Sequence, residues 1–148
     1  MIAADPDRVV AIARRWRGTP YHDQASRRGV GCDCLGLIRG VWRELLGPES
    51  VPIPAYSRDW GETGREEVLA EAAQRVLIRI DPSEAGMGAV VLFRMRSGAI
   101  VKHCGILTAP DRFIHAYERL GVIEEALTTA WRRRIAFAFL FPAAATER

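Results

Sequence analysis

Two cysteines stand one residue apart in the stretch GVGCDCLGLIRGVW, where Cys32 and Cys34 flank Asp33. A thiol is a good nucleophile only as the thiolate, and a helix N-terminus or a neighbouring imidazolium lowers the thiol pKa from about 8.5 to roughly 3.5–7.5. The whole chain contains three cysteines and three histidines. This set is sufficient for covalent acyl transfer if the fold brings a histidine to one of the thiols.

The residues after Asp33 predict an amphipathic helix that runs to about Leu46. Its apolar residues follow the i, i+3, i+4 spacing and are Cys34, Leu37, Ile38, Val41, Trp42 and Leu45. Asp33 is the expected N-cap, and Gly47 and Pro48 end the helix. Cys34 therefore begins the core-facing stripe at the first turn, where the helix dipole and backbone N–H groups without intrahelical partners favour negative charge. The same donors are suited to hold an oxyanion.

Two of the three histidines fall in predicted strands. In IVKHCGILT, alternation puts Val101, His103 and Gly105 on one face and Lys102, Cys104 and Ile106 on the other. In RFIHAYE, His115 shares a face with Phe113 and Tyr117. If the two strands are neighbours, both imidazoles lie on one face of the sheet, opposite the start of the helix that carries Cys34. The third histidine, His22, is interpreted as a residue of the polar surface loop 19–31.

These motifs resemble those of a known family. The segments CDCLGLIRGVW, KHCGIL and FIHA, with GTPY upstream, are similar to the motifs of the NlpC-type cysteine peptidases. These are papain-like bacterial cell-wall hydrolases whose motifs read Asp-Cys-Ser-Gly-Leu, His-Val-Gly-Ile and Ile-His-Ala. The resemblance extends from about Val9 to Phe141. It implies Cys34 as the nucleophile, His103 as the general base and His115 as the polar residue that orients His103.

The resemblance also implies a substrate and a delivery route. The substrate is an amide bond in the stem peptides of peptidoglycan, often the bond between D-glutamate and the diamino acid. Tyr21 corresponds to a tyrosine beside the active site, and Tyr21, Asp33 and Cys34 are the expected substrate-binding and oxyanion residues. The doubled cysteine, with Leu35 in place of the usual serine, most resembles the subgroup encoded with phage tails and gene transfer agents. Proteins of such particles are expected partners, and the particle is expected to carry the enzyme to the periplasm.

The order of the elements predicts an α+β fold. Asp5 and Pro6 predict the N-cap and first residue of an opening helix, and Thr63 and Glu66 have the spacing of a capping box before a third helix. From residue 88 onward the chain reads as short strands, so the helices are expected to pack on a mostly antiparallel sheet. With 148 residues, of which 49% are hydrophobic, the chain is expected to form one domain with its core at about 5–142, and the resemblance implies that this domain is papain-like.

Composition argues against several other classes of protein. The formal net charge is +3 and the basic residues are scattered, which gives little support to nucleic-acid binding. The N-terminal segment is acidic where a signal peptide is basic, Arg14 and Arg15 interrupt its apolar run, and no stretch has the apolar length that spans a bilayer. The protein is therefore expected to be synthesised in the cytoplasm without a signal peptide, to stay out of membranes and to need no cofactor.

Other interpretations stand beside the peptidase. Zinc accepts the side chains of five residues, which are Cys32, Cys34, His103, Cys104 and His115. However, Cys-x-Cys spacing is unusual for zinc, and adjacent strand residues point to opposite faces of a sheet. No metal site is therefore expected.

A catalytically silent wall-binding or tail-structural module, or a transferase with the same thioester chemistry, fits the same motifs. Cys32 is either a loop thiol without a role or a modulating thiol that oxidises or pairs with Cys34. Cys104 is expected to face the core behind the sheet.

Overall fold

A six-stranded antiparallel sheet organises the fold. The computed structural model describes residues 2–49 and 68–144. In chain order the elements are α1 (Pro6–Arg14), β1 (Ser26–Arg27), β2 (Gly31–Cys32), α2 (Cys34–Leu46), α3 (Val68–Val76), β3 (Ile78–Ile80), a 3-10 turn (Pro82–Glu84), β4 (Val90–Phe93), β5 (His103–Ala109), β6 (Arg112–Tyr117), β7 (Gly121–Ala126), α4 (Thr129–Arg132) and β8 (Ile135–Leu140). The sheet has the order β3-β8-β4-β5-β6-β7, and β1 and β2 form a separate ladder. The predicted α+β class is confirmed.

Side chains from the sheet enter two hydrophobic clusters. The first cluster joins the helices to the sheet and includes Val9, Leu37 and Ile106. The second cluster is smaller and includes Leu107 and Phe113. Because Ile106 and Leu107 are consecutive residues of β5, they leave opposite faces of the sheet, so the two clusters lie on its two sides. Strand β5 is therefore shared by both cores.

The N-terminal helices begin where the sequence predicts. Asp5 caps α1 by accepting the Asp7 N–H at 3.1 Å, and Asp33 caps α2. Helix α1 ends at Arg14, before Gly18, because the chain tightens into turns there. Along the described residues no helix has both the length and the apolar character needed to cross a bilayer.

The strand predictions succeed where the segments are long enough to show a period. Strands β4 to β8 coincide with the segments GAVVLFRM, IVKHCGILT, RFIHAYE, GVIEEAL and IAFAFLFP. Three short strands were not expected. The ladder of β1 and β2 interrupts the loop at 19–31, and β3 follows α3. Strands of two or three residues are too short to show an alternating pattern in the sequence. Val101 packs in the first cluster and not with His103, because β5 begins only at His103. The capping box at Thr63 and Glu66 lies outside the described residues.

Gly40 lets α2 pack closely against Trp16, which follows α1. A Cβ atom at this position would overlap the indole ring of Trp16, which is 2% exposed and donates from Nε1 to Glu44 at 2.6 Å. We expect Gly40→Ala to lower the free energy of unfolding by about 1–3 kcal/mol, measured by urea denaturation, because the ring must move within a packed core. In a Trp16→Phe background the same change should cost less, since the benzo ring is absent. Equal losses in the two backgrounds would contradict this explanation.

Candidate active site

The first turn of α2 lies beside the beginning of β5. The sulfur of Cys34, the first residue of α2, lies 3.6 Å from the backbone oxygen of Lys102, to which it donates when it is the neutral thiol. The same sulfur contacts the side chains of His103 and Cys104. These two are consecutive strand residues, so their side chains leave opposite faces of the sheet. The thiol reaches both because α2 begins beside the first two residues of β5.

The start of α2 is held in place by Asp33, which is 2% exposed. Its carboxylate accepts the Gly36 N–H and the Gln24 N–H, each at 2.7 Å. Its own N–H donates to the Ala25 oxygen at 3.2 Å. The N-cap prediction is confirmed, and both the side chain and the N–H of Asp33 are engaged within the fold. In the part of the chain that the structure describes, the Cys34 N–H has no backbone acceptor and remains available at the helix N-terminus.

The surroundings of Cys34 favour its thiolate. A hydrogen bond from the Cys104 thiol is the largest cause that holds the pKa of Cys34 well below its ordinary value, and the imidazole of His103 adds to this effect. Burial raises the pKa of Cys34 but does not outweigh these contacts. The pKa of Cys104 is raised well above its ordinary value because of the same hydrogen bond and the burial of its side chain. Cys34 is therefore the thiol of the pair that ionises.

The two strand histidines meet on the sheet, and a carboxylate extends their contact. His103 Nε2 lies 2.7 Å from His115 Nδ1, and His115 Nε2 lies 2.7 Å from Glu125 Oε2. The three residues come from the adjacent strands β5, β6 and β7. The two strands that carry the histidines are neighbours in the sheet, which meets the condition stated for the two imidazoles. Cys34, His103, His115 and Glu125 thus form one continuous line of polar contacts.

Aromatic rings surround this pair of imidazoles. Four aromatic side chains have ring centroids 4.3–5.8 Å from one or both imidazoles: Phe93, Phe113, Tyr117 and Trp131. Since Phe93 and Phe113 belong to the second cluster, the imidazoles lie on the sheet face away from α1 and α2. Of the two imidazoles, that of His103 contacts the Cys34 thiol, at the first residue of β5.

Burial also sets the charge of His115, which is 0% exposed. Desolvation, followed by the nearby His103, lowers the pKa of His115 to about 4, while Glu125 opposes the shift. His115 is therefore neutral at neutral pH. A neutral imidazole has one donor and one acceptor nitrogen, so each of its two hydrogen bonds has a defined direction.

Cys32 and Tyr21 flank the site through backbone pairing. An isolated parallel bridge joins Tyr21 to Cys32, two residues before Cys34. The description of Cys32 as a loop thiol is wrong: it lies in β2, is 0% exposed and packs in the first cluster. Burial, with the charges of Asp33 and Cys34, raises the pKa of Cys32 to about 12. Cys32 is thus a neutral core thiol, and His22 is exposed on the loop as predicted.

The donor geometry does not fit the zinc alternative. Among residues 2–49 and 68–144, no three side chains of His, Cys, Asp or Glu are placed to hold a metal ion.

Two residues of the site escaped the sequence prediction. Cys104 was expected in the core, where it is 1% exposed, but the sequence does not indicate that it also contacts the nucleophile candidate. Glu125 stands in GVIEEAL beside a second glutamate, Glu124, and only the register between β6 and β7 decides which one approaches His115.

The low pKa of Cys34 predicts its reactivity. Iodoacetamide should alkylate Cys34 at pH values well below 8.5, because the thiolate is the reacting form, whereas Cys32 should stay unmodified in the folded protein. Cys104→Val removes the strongest support of the thiolate and should move the alkylation profile of Cys34 to higher pH. Mass mapping of alkylated peptides across a pH series measures both effects. An unchanged profile in Cys104→Val would contradict the role given to that thiol.

The fold and the thiol at a helix start define a known class of protein. The structure is similar to the crystal structure of the NlpC/p60 domain of peptidoglycan hydrolase SagA, with a TM-score of 0.61 and 22% sequence identity over 92% of this chain and 98% of that one. A likeness at this identity establishes the fold. The model of the NlpC/P60 family matches residues 18–138, and the chain therefore belongs to the NlpC/P60 family.

Relatives of known name agree with this membership. The chain is 28% identical over 117 residues to a probable endopeptidase NlpC of Escherichia coli K12, covering 78% of this chain and 64% of that protein. It is 29% identical over 119 residues to a gamma-DL-glutamyl hydrolase of Bacillus subtilis 168, covering 78% of this chain and 25% of that protein. The chain thus spans less than two thirds of either relative.

Proposed function

We propose that this chain is a cysteine peptidase that hydrolyses amide bonds in the stem peptides of peptidoglycan. The observation that carries the proposal is the contact between the Cys34 thiol and His103, whose ring is in turn 2.7 Å from His115. Cys34 is the nucleophile, His103 the general base and His115 the residue that orients His103. The names of the two relatives, an endopeptidase and a glutamyl hydrolase, support the same reaction class.

The proposed reaction is acyl transfer through a thioester. The Cys34 thiolate attacks the amide carbonyl carbon, and the oxyanion that forms accepts a hydrogen bond from the Cys34 N–H at the start of α2. Protonated His103 then gives its proton to the leaving amine as the carbon–nitrogen bond breaks. In the second half, neutral His103 takes a proton from water, the hydroxide adds to the thioester, and the carboxylic acid leaves while the thiolate returns.

The remaining predicted site residues support this reaction in different ways. Asp33 is proposed to act through position, since its carboxylate and N–H fix the helix start and are already engaged. Tyr21 is proposed to contact the substrate, because its backbone pairing with Cys32 places it beside the start of α2. We propose that residues 5–142 act together as one catalytic domain.

The substrate bond and the delivery route are finer parts of the proposal. We favour the bond between D-glutamate and the diamino acid, which agrees with the name of the Bacillus subtilis relative. Carriage to the periplasm by a phage tail or gene transfer agent, after synthesis in the cytoplasm, rests on the resemblance of the doubled-cysteine motif. Proteins of such a particle would then be partners of this chain.

Digestion of purified peptidoglycan fragments, with products identified by mass, tests the proposal. The wild-type protein should release a fragment that ends in a D-glutamate carboxyl group and a second fragment with a new amino group on the diamino acid. Cleavage at another amide bond would contradict the assignment of the D-glutamate bond but would still support the proposal that the chain is a peptidase. A folded protein that leaves every amide bond intact would overturn the proposal and favour a silent wall-binding module. Amide exchange to an added amine, without hydrolysis, would favour a transferase.

A further inference from the structure

Glu125 ends the line of polar contacts that begins at Cys34. Its carboxylate Oε2 lies 2.7 Å from His115 Nε2, and its side chain is 37% exposed while that of His115 is 0% exposed. The neighbouring Glu124 has different partners, since its carboxylate contacts Arg14 and Thr108. The two adjacent glutamates of β7 thus have separate surroundings, and only Glu125 reaches the imidazoles.

The chemistry of these groups gives the hydrogen bonds one direction. A carboxylate only accepts hydrogen bonds, so His115 must carry its proton on Nε2 and donate it to Glu125. Neutral His115 then has a lone pair on Nδ1, which accepts the proton that His103 carries on Nε2. His103 is left with Nδ1 for the thiol. In neutral His103 this nitrogen is an acceptor, and in protonated His103 it is the N–H that faces the Cys34 thiolate.

The opposite direction is incompatible with a base at His103. If His115 carried its proton on Nδ1, it would donate to His103 Nε2. Neutral His103 would then hold its own proton on Nδ1 and would not accept one from the thiol. Protonated His103 would present an N–H to the N–H of His115 across 2.7 Å. The direction of the whole line therefore depends on the group that meets His115 Nε2.

We propose that Glu125 is a positioning residue that fixes the tautomers of His115 and His103, and so keeps Nδ1 of His103 available to the Cys34 thiol. The inference rests on the proposed function, because it assumes that His103 is the general base. Glu125 does not touch the reacting atoms and acts through two imidazoles. Its role is comparable to that of carboxylates that orient histidines from outside a catalytic or metal site.

The test reads the tautomer directly in the Cys34→Ala protein, which needs no activity. Nitrogen-15 NMR of histidine-labelled protein distinguishes protonated from unprotonated ring nitrogens. With Glu125 present, His115 should be protonated on Nε2. Glu125→Ala should populate the Nδ1-protonated form, whereas Glu125→Gln should keep much of the Nε2-protonated form, because the amide oxygen still accepts a hydrogen bond. Retention of the original tautomer in Glu125→Ala would overturn the inference.

A matched control and a kinetic measurement complete the experiment. Glu124→Ala makes the same change one residue away and should leave the tautomer of His115 unchanged, although its loss of ion pairs lowers stability.

In the protein with Cys34 intact, Glu125→Ala should lower kcat/KM for stem-peptide cleavage about 10- to 100-fold, with partial recovery in Glu125→Gln. Failure of the proposed function would be seen as no cleavage by the wild type, with the tautomer result unaffected. A tautomer change in Glu124→Ala equal to that in Glu125→Ala would overturn the assignment to Glu125.

Discussion

Cys34→Ala is expected to reduce stem-peptide cleavage to the background rate, a loss on the order of 10⁵-fold or more. The reason is that no other sulfur can replace it. Cys32 and Cys104 are buried, and both have raised pKa values, so neither presents a thiolate to a substrate. Mass analysis of released peptides over a long incubation measures the residual rate.

The same substitution at Cys32 is the matched control. Cys32→Ala removes a core thiol two residues away, and we expect most of the activity to remain because the contacts of Cys34 with His103 and Cys104 are untouched. Circular dichroism should show native structure in both variants. Retained cleavage in folded Cys34→Ala, or loss of cleavage only in Cys32→Ala, would falsify the assignment of the nucleophile.

His103→Ala is expected to lower kcat/KM for the same cleavage by about 10³-fold. Its imidazole has two functions in the proposed reaction, since it stabilises the Cys34 thiolate and transfers the proton to the leaving amine. The variant should therefore also alkylate more slowly at neutral pH, because the pKa of Cys34 rises when the imidazole is removed. Steady-state kinetics and the pH series of iodoacetamide labelling report the two effects separately.

His22 provides the comparison for this experiment. It is exposed on the loop before β1, where its Nδ1 lies 3.2 Å from the backbone oxygen of Asp23. His22→Ala should leave both the cleavage rate and the alkylation profile unchanged. A loss of less than 10-fold in His103→Ala would mean that another group is the base.

The sequence is informative where the interactions that matter are local. Asp33 and Cys34 are neighbours in the chain, so an N-cap followed by an apolar stripe is enough to place the thiol at a helix start. The two histidines are recognisable because each lies in a long alternating segment. Their meeting required only that β5 and β6 be adjacent, which a short connection between consecutive strands favours.

The sequence does not reveal contacts that depend on the register between strands, or the burial of residues in very short strands. Phe113 pairs with Glu125 and His115 with Ile123, and a slip of one residue would exchange Glu125 for Glu124 on the imidazole face. Cys32 shows the second difficulty, because a strand of two residues has no period from which burial can be read. Cross-strand alignment and burial of this kind arise from the packing of the whole chain.

The position of β8 has a consequence for the time at which the site is assembled. Although β8 follows every other described strand in the chain, it lies between β3 and β4, inside the sheet. Trp131, whose indole covers both imidazoles, stands just before it. Strands β4 to β7 are thus complete in the chain before β8, but β3 and the far edge of β4 find their partner only after Leu140 has been added.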